Sequence, residues 1–268
     1  MNQTPPADKA SINSDPSKQI DLRQAKTYVA GRLSDKERTR HMSVLCQKLG
    51  LQAKAADGIP PIEGSDQYSQ AISHLRALRY AEFSTPLLVL ENNCDITSVY
   101  SPLLNIPANA DILYLGSSNC GFVDALNNQR VRGAAIAFGH DEHLMRVYNM
   151  AATHAVLYLS KRAIQAAIDS IIQSMVDGRP IDSGFEALQR NLYTYALRQP
   201  IFYQPSALQS TDNATKIETS SRLEFKENQP PANLHLKLRT SEEIKLSLAR
   251  RPNGDYFWKL SEKTLPTQ

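Results

Sequence analysis

Leu87-Leu88-Val89-Leu90-Glu91-Asn92-Asn93-Cys94-Asp95 is an apolar run that ends abruptly in oxygen-bearing side chains. A run this short, with Pro86 before it and acidic and amide groups after it, suits a buried strand. In α/β folds such strands deliver ligand-binding groups to the crevice beyond their carboxyl ends. The same residues also fit a core strand followed by an Asn/Asp turn. The surrounding chain has to decide between a site and a turn.

Upstream, Thr27-Tyr28-Val29-Ala30 reads as a short strand, and Ser34 with Glu37 forms a capping box for a helix that carries Met42, Leu45, Cys46 and Leu49 on one side. Gly50 stops that helix, a brief segment ends in Ala55-Ala56-Asp57-Gly58, and Ile59 to Gly64 reads as a loop. Ile72, Leu75 and Leu78 then fall at helical spacing between Asp66 and Tyr80. Downstream come a Pro-containing loop over 100–109, a strand over 111–116 and, over 117–150, glycine-interrupted sequence expected to form long loops. His154 to Leu159 resumes as strand, and Ser160 caps a helix with Ala163, Ala167, Ile168, Ile171, Ile172 and Met175 expected at core spacing. Pro180-Ile181-Asp182 leads to a helix expected over 184–197, before a short strand at Ile201 to Gln204. Alternation of strand and helix predicts an α/β sheet.

Residues 1–20 are too polar to pack and read as a disordered arm, 21–206 as the main domain and 207–231 as a linker. A small β-unit follows over 232–268. Leu234 to Arg239 and Ile244 to Leu248 alternate at period two there, and Pro252-Asn253-Gly254-Asp255 signals a hairpin before Tyr256 to Leu260. Its basic residues beside Tyr256 and Trp258 suit either contact with a polyanion or sugar, or the solvated face of a sheet. The net charge of +3 over 268 residues is too mild to indicate nucleic acid by itself. The three cysteines, Cys46, Cys94 and Cys120, are widely spaced and suggest neither a disulfide framework nor a zinc knuckle. With no apolar leader, and no stretch approaching the roughly 18 apolar residues of a spanning helix, the expected setting is cytoplasmic.

The order of these pieces resembles glycosyltransferase family 25, the lipooligosaccharide and procollagen galactosyltransferases. Tyr28-Val29 with Glu37-Arg38 and Met42 looks like that family's opening strand and helix start, and Leu49-Gly50-Leu51 with Ala56-Asp57-Gly58 resembles the stretch after it. Ala71-Ile72-Ser73-His74-Leu75 is similar to the family's Ser-His-Leu helix, and Leu88 to Asn93 sits where the family has apolar residues and then Glu-Asp-Asp. His154-Ala155, Tyr158 to Ala163, Pro180-Ile181-Asp182 and Pro200 to Gln204 match its later segments in order. The resemblance runs over 27–204 and leaves out the β-unit.

It implies an α/β fold of the GT-A type, a Rossmann-like sheet binding a nucleotide-sugar, and transfer of a hexose to a saccharide or other hydroxyl acceptor. It further implies a Mn²⁺ or Mg²⁺ ion on the donor diphosphate, for which Glu91, Asn93 and Asp95 can supply the oxygens, with His154 either a further ligand or a structural residue at the strand start. Hard cations favour such oxygen donors. Two of the family's three acids are replaced here by Asn92 and Asn93, and an amide oxygen carries no charge. Asp95 makes up the set if the strand stays extended, since alternate residues then point the same way. Arg38, Asp57, His74, Glu91 and Gln204 are the expected donor-site residues; the alternatives are a surface position for Arg38 and, ahead of the donor role, a satisfied histidine within the helix for His74. Asp182 is the expected general base, or else an N-cap. His140-Asp141-Glu142-His143 reads as a solvated helix start rather than a metal site. Loss of the acids leaves open a non-catalytic binding protein with this fold, and the basic β-unit leaves open a nucleic-acid acceptor.

Overall fold

The computed structural model describes residues 16–32, 34–58, 66–81, 85–97, 100–118, 120–124, 130–204, 246–250 and 256–260. The chain opens with β1 (Ser17–Asp21), and a 3-10 turn over Leu22–Gln24 leads into β2 (Lys26–Gly31). Next come α1 (Lys36–Lys48), β3 (Ala53–Asp57), α2 (Asp66–Arg79) and β4 (Leu87–Glu91). β2 pairs in parallel with both β3 and β4, so the two helices are crossovers. All three strands therefore end at one edge of the sheet, with Ala30 opposite Glu91 and Gly31 opposite Asp57.

After β4 the chain makes the short β5 (Asp95–Ile96), then β6 (Leu103–Pro107) and β7 (Ile112–Tyr114). β8 (Cys120–Asp124) and β9 (Arg130–Ala134) pair with each other, and β10 (Ile136–Gly139) and β11 (Leu144–Asn149) extend the main sheet. β12 (Ala155–Tyr158), α3 (Lys161–Val176), α4 (Ile181–Leu188), β13 (Thr194–Leu197) and β14 (Phe202–Tyr203) complete the domain. The result is a mixed α/β architecture around an eight-stranded sheet of order β10-β11-β13-β7-β12-β4-β2-β3. Within it β12 runs antiparallel between β4 and β7.

Every residue of β4 is buried because helices cover both faces of the sheet, which explains its unbroken apolar reading. Leu87 and Val89 join the core beneath α2, α3 and α4, with Leu78, Ile171 and Phe185. Leu88 and Leu90 join the opposite core, with Met42 and Leu45 of α1. Period-two alternation then assigns Glu91, the last residue of the strand, to the α2 face.

Several expectations are corrected. Residues 17–20 of the expected disordered arm form β1 together with Asp21, and β1 pairs antiparallel with β6 inside the expected loop over 100–109. β1 has one apolar residue, Ile20, and so does not announce itself, while the apolar residues of β6 lie between Pro102 and Pro107 and read as loop. The expected loops over 117–150 hold four strands, and Thr194 to Leu197, expected as helix, form β13. The His140–His143 segment is a tight turn in which Asp141 Oδ1 accepts from the backbone N–H of His143 at 2.7 Å and of Leu144 at 2.8 Å. The cap of α1 is Asp35, whose carboxylate accepts from Arg38 N at 3.1 Å, in place of Ser34. Ser160 caps α3 as expected. Further on, β15 (Leu246–Arg250) and β16 (Tyr256–Leu260) pair antiparallel; the expected turn at 252–255, the linker and the expected strand at 234–239 lie outside the described residues. Among the described residues no helix is long and apolar enough to cross a membrane.

Candidate functional site

At the carboxyl edge of the parallel strands, Glu91 is the centre of a buried polar network. Its side chain stands on the α2 face with only 5% of the residue exposed. Gln70 Nε2 donates to Oε1 at 2.8 Å, Thr153 Oγ1 donates to the same oxygen at 2.6 Å, and Gln204 Nε2 donates to Oε2 at 2.9 Å. His74 Nε2 stands 3.4 Å from Oε1. The Gln204 amide also donates to Asn93 Oδ1 at 3.1 Å, and Thr153 Oγ1 lies 2.7 Å from Asp182 Oδ1.

Topology explains this convergence. Gln70 and His74 lie one turn apart on α2 and so share a face. β12 is antiparallel to β4 with Ala155 opposite Leu90, which puts the residues entering β12, Thr153 and His154, beside the strand end. Glu91 N–H donates to the His154 carbonyl at 2.8 Å. β14 pairs antiparallel with β5, Tyr203 opposite Asp95, and returns Gln204 to the same place. Asp182 arrives in the first turn of α4, whose cap position is Pro180. The expected N-cap alternative for Asp182 is thereby removed.

Burial by itself would raise the Glu91 carboxyl, but the adjoining His74 imidazole, the Thr153 hydroxyl and the field of His154 outweigh it and hold the group down at about 2. Glu91 is thus a buried anion compensated by hydrogen bonds. The Cys94 thiol beside it is pushed up by burial and by that charge, and its Sγ donates to the His154 carbonyl at 2.8 Å.

The expected metal ligands do not assemble. The strand stops at Glu91, and Asn92-Asn93 form a turn closed by Cys94 N–H on the Glu91 carbonyl at 3.1 Å. Alternation beyond residue 91 therefore fails. Asp95 Oδ1 accepts from Ile96 N at 2.7 Å and lies 4.0 Å from His41 Nε2. The His154 ring fills the space left by the absent side chain of Gly116, where a Cβ would overlap it. Among the described residues no group of three or more His, Cys, Asp or Glu side chains is placed to hold a metal ion. Both Glu91 oxygens already accept protein donors, so this donor set does not fit a divalent cation as it stands.

Of the other expected residues, Arg38 is ion-paired with Asp35 at 3.1 Å on α1, away from the network. Asp57 ends β3, where the Arg76 guanidinium donates to the carbonyls of Asp57 and Gly58. Gln70 and Thr153 are the members that the sequence reading lacks. Gln70 is legible in principle, one helical turn before His74; Thr153 is not, because its role depends on the antiparallel entry of β12.

A cavity of about 460 Å³ opens on the other face of the same edge, between α1 and β2–β3. Gly31, Arg32, Met42, Ala55 and Asn92 are among its walls. Its size suits a small-molecule ligand, and its position is the crevice where open α/β sheets bind them. Gly31 has φ of +150°, and a Cβ there would overlap the Asn92 side chain.

No family model matches the chain, and no curated protein matches it. Among solved structures, CTP:phosphocholine cytidylyltransferase from Streptococcus pneumoniae is similar over 68% of this chain and 72% of its own, at 11% identity and a TM-score of 0.32. Similarity at that level leaves the assignment of function to the site itself.

Proposed function

We propose that this protein is a nucleotide-sugar-dependent glycosyltransferase of the GT-A type, related to family 25, that moves a hexose onto a hydroxyl acceptor. One observation carries the reading. Glu91, Asn93, Gln204 and Asp182, drawn from family-like segments far apart in the chain, belong to one hydrogen-bonded cluster at the carboxyl edge of a parallel βαβαβ unit, with the His74 ring 3.4 Å from Glu91. Chance matches scattered along the sequence would have no reason to meet there.

In this reading the cavity beside Gly31, Arg32 and Asn92 takes the nucleotide, and the sugar extends across the edge towards Asp182. The acceptor oxygen forms the new bond to the anomeric carbon as the bond to the diphosphate breaks, and the hydroxyl proton passes to the Asp182 carboxylate. No step is routed through a divalent cation, since the described residues bring no group of three His, Cys, Asp or Glu side chains together to hold one.

The test is a thermal-shift and hydrolysis screen of single UDP-sugars at saturation, with Mn²⁺ and with chelator. A shift in melting temperature, abolished when Ala55→Trp fills the cavity, and turnover lost in Glu91→Ala are the expected results. Neither hydrolysis nor any shift with every UDP-sugar would sink the reading. A second reading is favoured by the full occupation of both Glu91 oxygens: a binding protein that keeps the fold and recognises the nucleotide-sugar without turning it over. A melting shift with no turnover at any condition selects it.

A further inference from the structure

We propose that the cavity under α1 is a directional pocket for a nucleoside diphosphate, with the base at its Gln47 and Gln52 end and the diphosphate at its Arg32 and Asn92 end. The shape comes first. Parallel pairing sets Thr27 level with Ala53, Val29 with Ala55 and Gly31 with Asp57, and Val29, Gly31, Ala53 and Ala55 together form the cavity floor. These side chains are small, so α1 packs above them without filling the space. From the level of Ala53 to that of Gly31 the floor is about 13 Å long, at about 3.3 Å per strand residue. α1 is the crossover between parallel β2 and β3 and therefore runs back along them. Its lining residues Met42, Ser43, Cys46 and Gln47 share one face, ordered from the carboxyl edge towards the far end.

The two ends differ in chemistry. Arg32 and Asn92 follow β2 and β4 at the carboxyl edge, and a guanidinium and an amide N–H both donate to phosphate oxygens. At the far end Cys46 and Leu51 are buried and supply apolar walls for a flat ring, while Gln47 and Gln52 carry amides that offer a donor and an acceptor to its edge. Lys54, exposed on the edge strand β3, adds a second cation. Among the described residues no Asp or Glu lines the cavity, so its charge complements an anion and opposes a cation. A polar ring joined to a short anionic chain meets all of these features, whereas an aliphatic chain would meet polar groups at both ends. The ligand class rests on the transferase reading, in which a hexose crossing the edge towards Asp182 follows its diphosphate; the order of the ligand's parts rests on the lining alone.

Calorimetric titration of the full chain with ADP, CDP, GDP and UDP selects the tightest diphosphate, and that nucleotide, its nucleoside and inorganic pyrophosphate are then titrated into variants. Arg32→Gln should weaken the diphosphate and pyrophosphate about ten- to a hundredfold and leave the nucleoside unchanged. Gln47→Leu combined with Gln52→Leu should weaken the diphosphate and the nucleoside about tenfold and leave pyrophosphate unchanged. Lys54→Gln, at an exposed site, repeats the charge test should Arg32→Gln lower the melting temperature of the free protein. The reverse pattern, losses in neither variant, or no binding by any of the four diphosphates overturns the proposal. A nucleotide-sugar turned over with unchanged KM in both variants removes the pocket and leaves the transferase. The expected pattern without turnover of any nucleotide-sugar leaves the pocket and removes the transferase.

Discussion

Glu91 keeps its charge in the interior because Gln70, Gln204 and Thr153 supply donors that water would have given it, with the His74 imidazole close by. Its carboxyl is depressed in the folded chain, so it contributes stability that is present above the unfolded glutamate value and is lost as pH falls towards about 2. Thermal melts across this acid range should show that loss, on the order of 3 kcal/mol, and Glu91→Gln should flatten it. At neutral pH the same substitution should cost about 1–3 kcal/mol, because an amide cannot satisfy all of these donors. Gly116→Ala is a second residue-scale prediction: the new methyl must displace the buried His154 ring, at a cost of about 1–3 kcal/mol readable as a lowered melting temperature. Much of this site is legible in the amino-acid sequence, since Glu91, Asn93, His74, Gln204 and Asp182 each sit in a recognisable segment. Asp95 departs from its expected place because an Asn-Asn turn ends the strand, and alternation says nothing past a turn.

Elements are legible where their apolar pattern is their own, and obscure where a partner creates them. β4 and α3 declare themselves by a bounded apolar run and by a Ser cap ahead of helical spacing. β1 is mostly polar and is a strand by its pairing with β6, and β13 follows α4 so closely that Phe185, Leu188, Leu192 and Tyr195 read as one continuous helix face. The joint that separates these last two elements is Asp111, just before β7. Its Oδ1 accepts from Ser160 Oγ at 2.6 Å and from Arg162 Nε at 2.7 Å, while Oδ2 accepts from Tyr193 N at 2.8 Å. One carboxylate therefore ties β7 to the start of α3 and to the entry of β13. Burial opposes its charge, but Arg162, Ser160 and the Tyr193 N–H prevail and lower its titration below the usual aspartate value. Asp111→Ala should destabilise by about 2–4 kcal/mol, since it orphans a backbone N–H and a hydroxyl together. Ser160→Ala, which removes a cap and one of these bonds, should cost about 1 kcal/mol. Equal effects in chemical denaturation would show that the cap, not the joint, carries the energy.

At the scale of the molecule, the eight strands of the main sheet all lie between Lys26 and Leu197, yet the site is completed only by the segment that follows them. Ile201 N–H donates to the Leu115 carbonyl at 2.8 Å and Thr97 N–H to the Ile201 carbonyl at 2.8 Å, so residues 200–204 are sewn across the carboxyl edge. Ile201 and Phe202 are buried there to 2% and 0% exposure, and Gln204 closes the network on Glu91. Two truncations separate sheet from closure. A chain ending at Gln204 keeps every one of these contacts and should melt in one transition within about 4 °C of the full chain. A chain ending at Gln199 loses two buried apolar side chains, worth about 1.5–3 kcal/mol each, and the amide on Glu91. It should melt about 10 °C lower and lose its thermal shift with any nucleotide-sugar that stabilises the longer form. If the two forms melt together, the closing strand adds nothing to the fold; if both lose stability alike, residues beyond 204 hold the domain instead, and the division of the chain at that point is wrong.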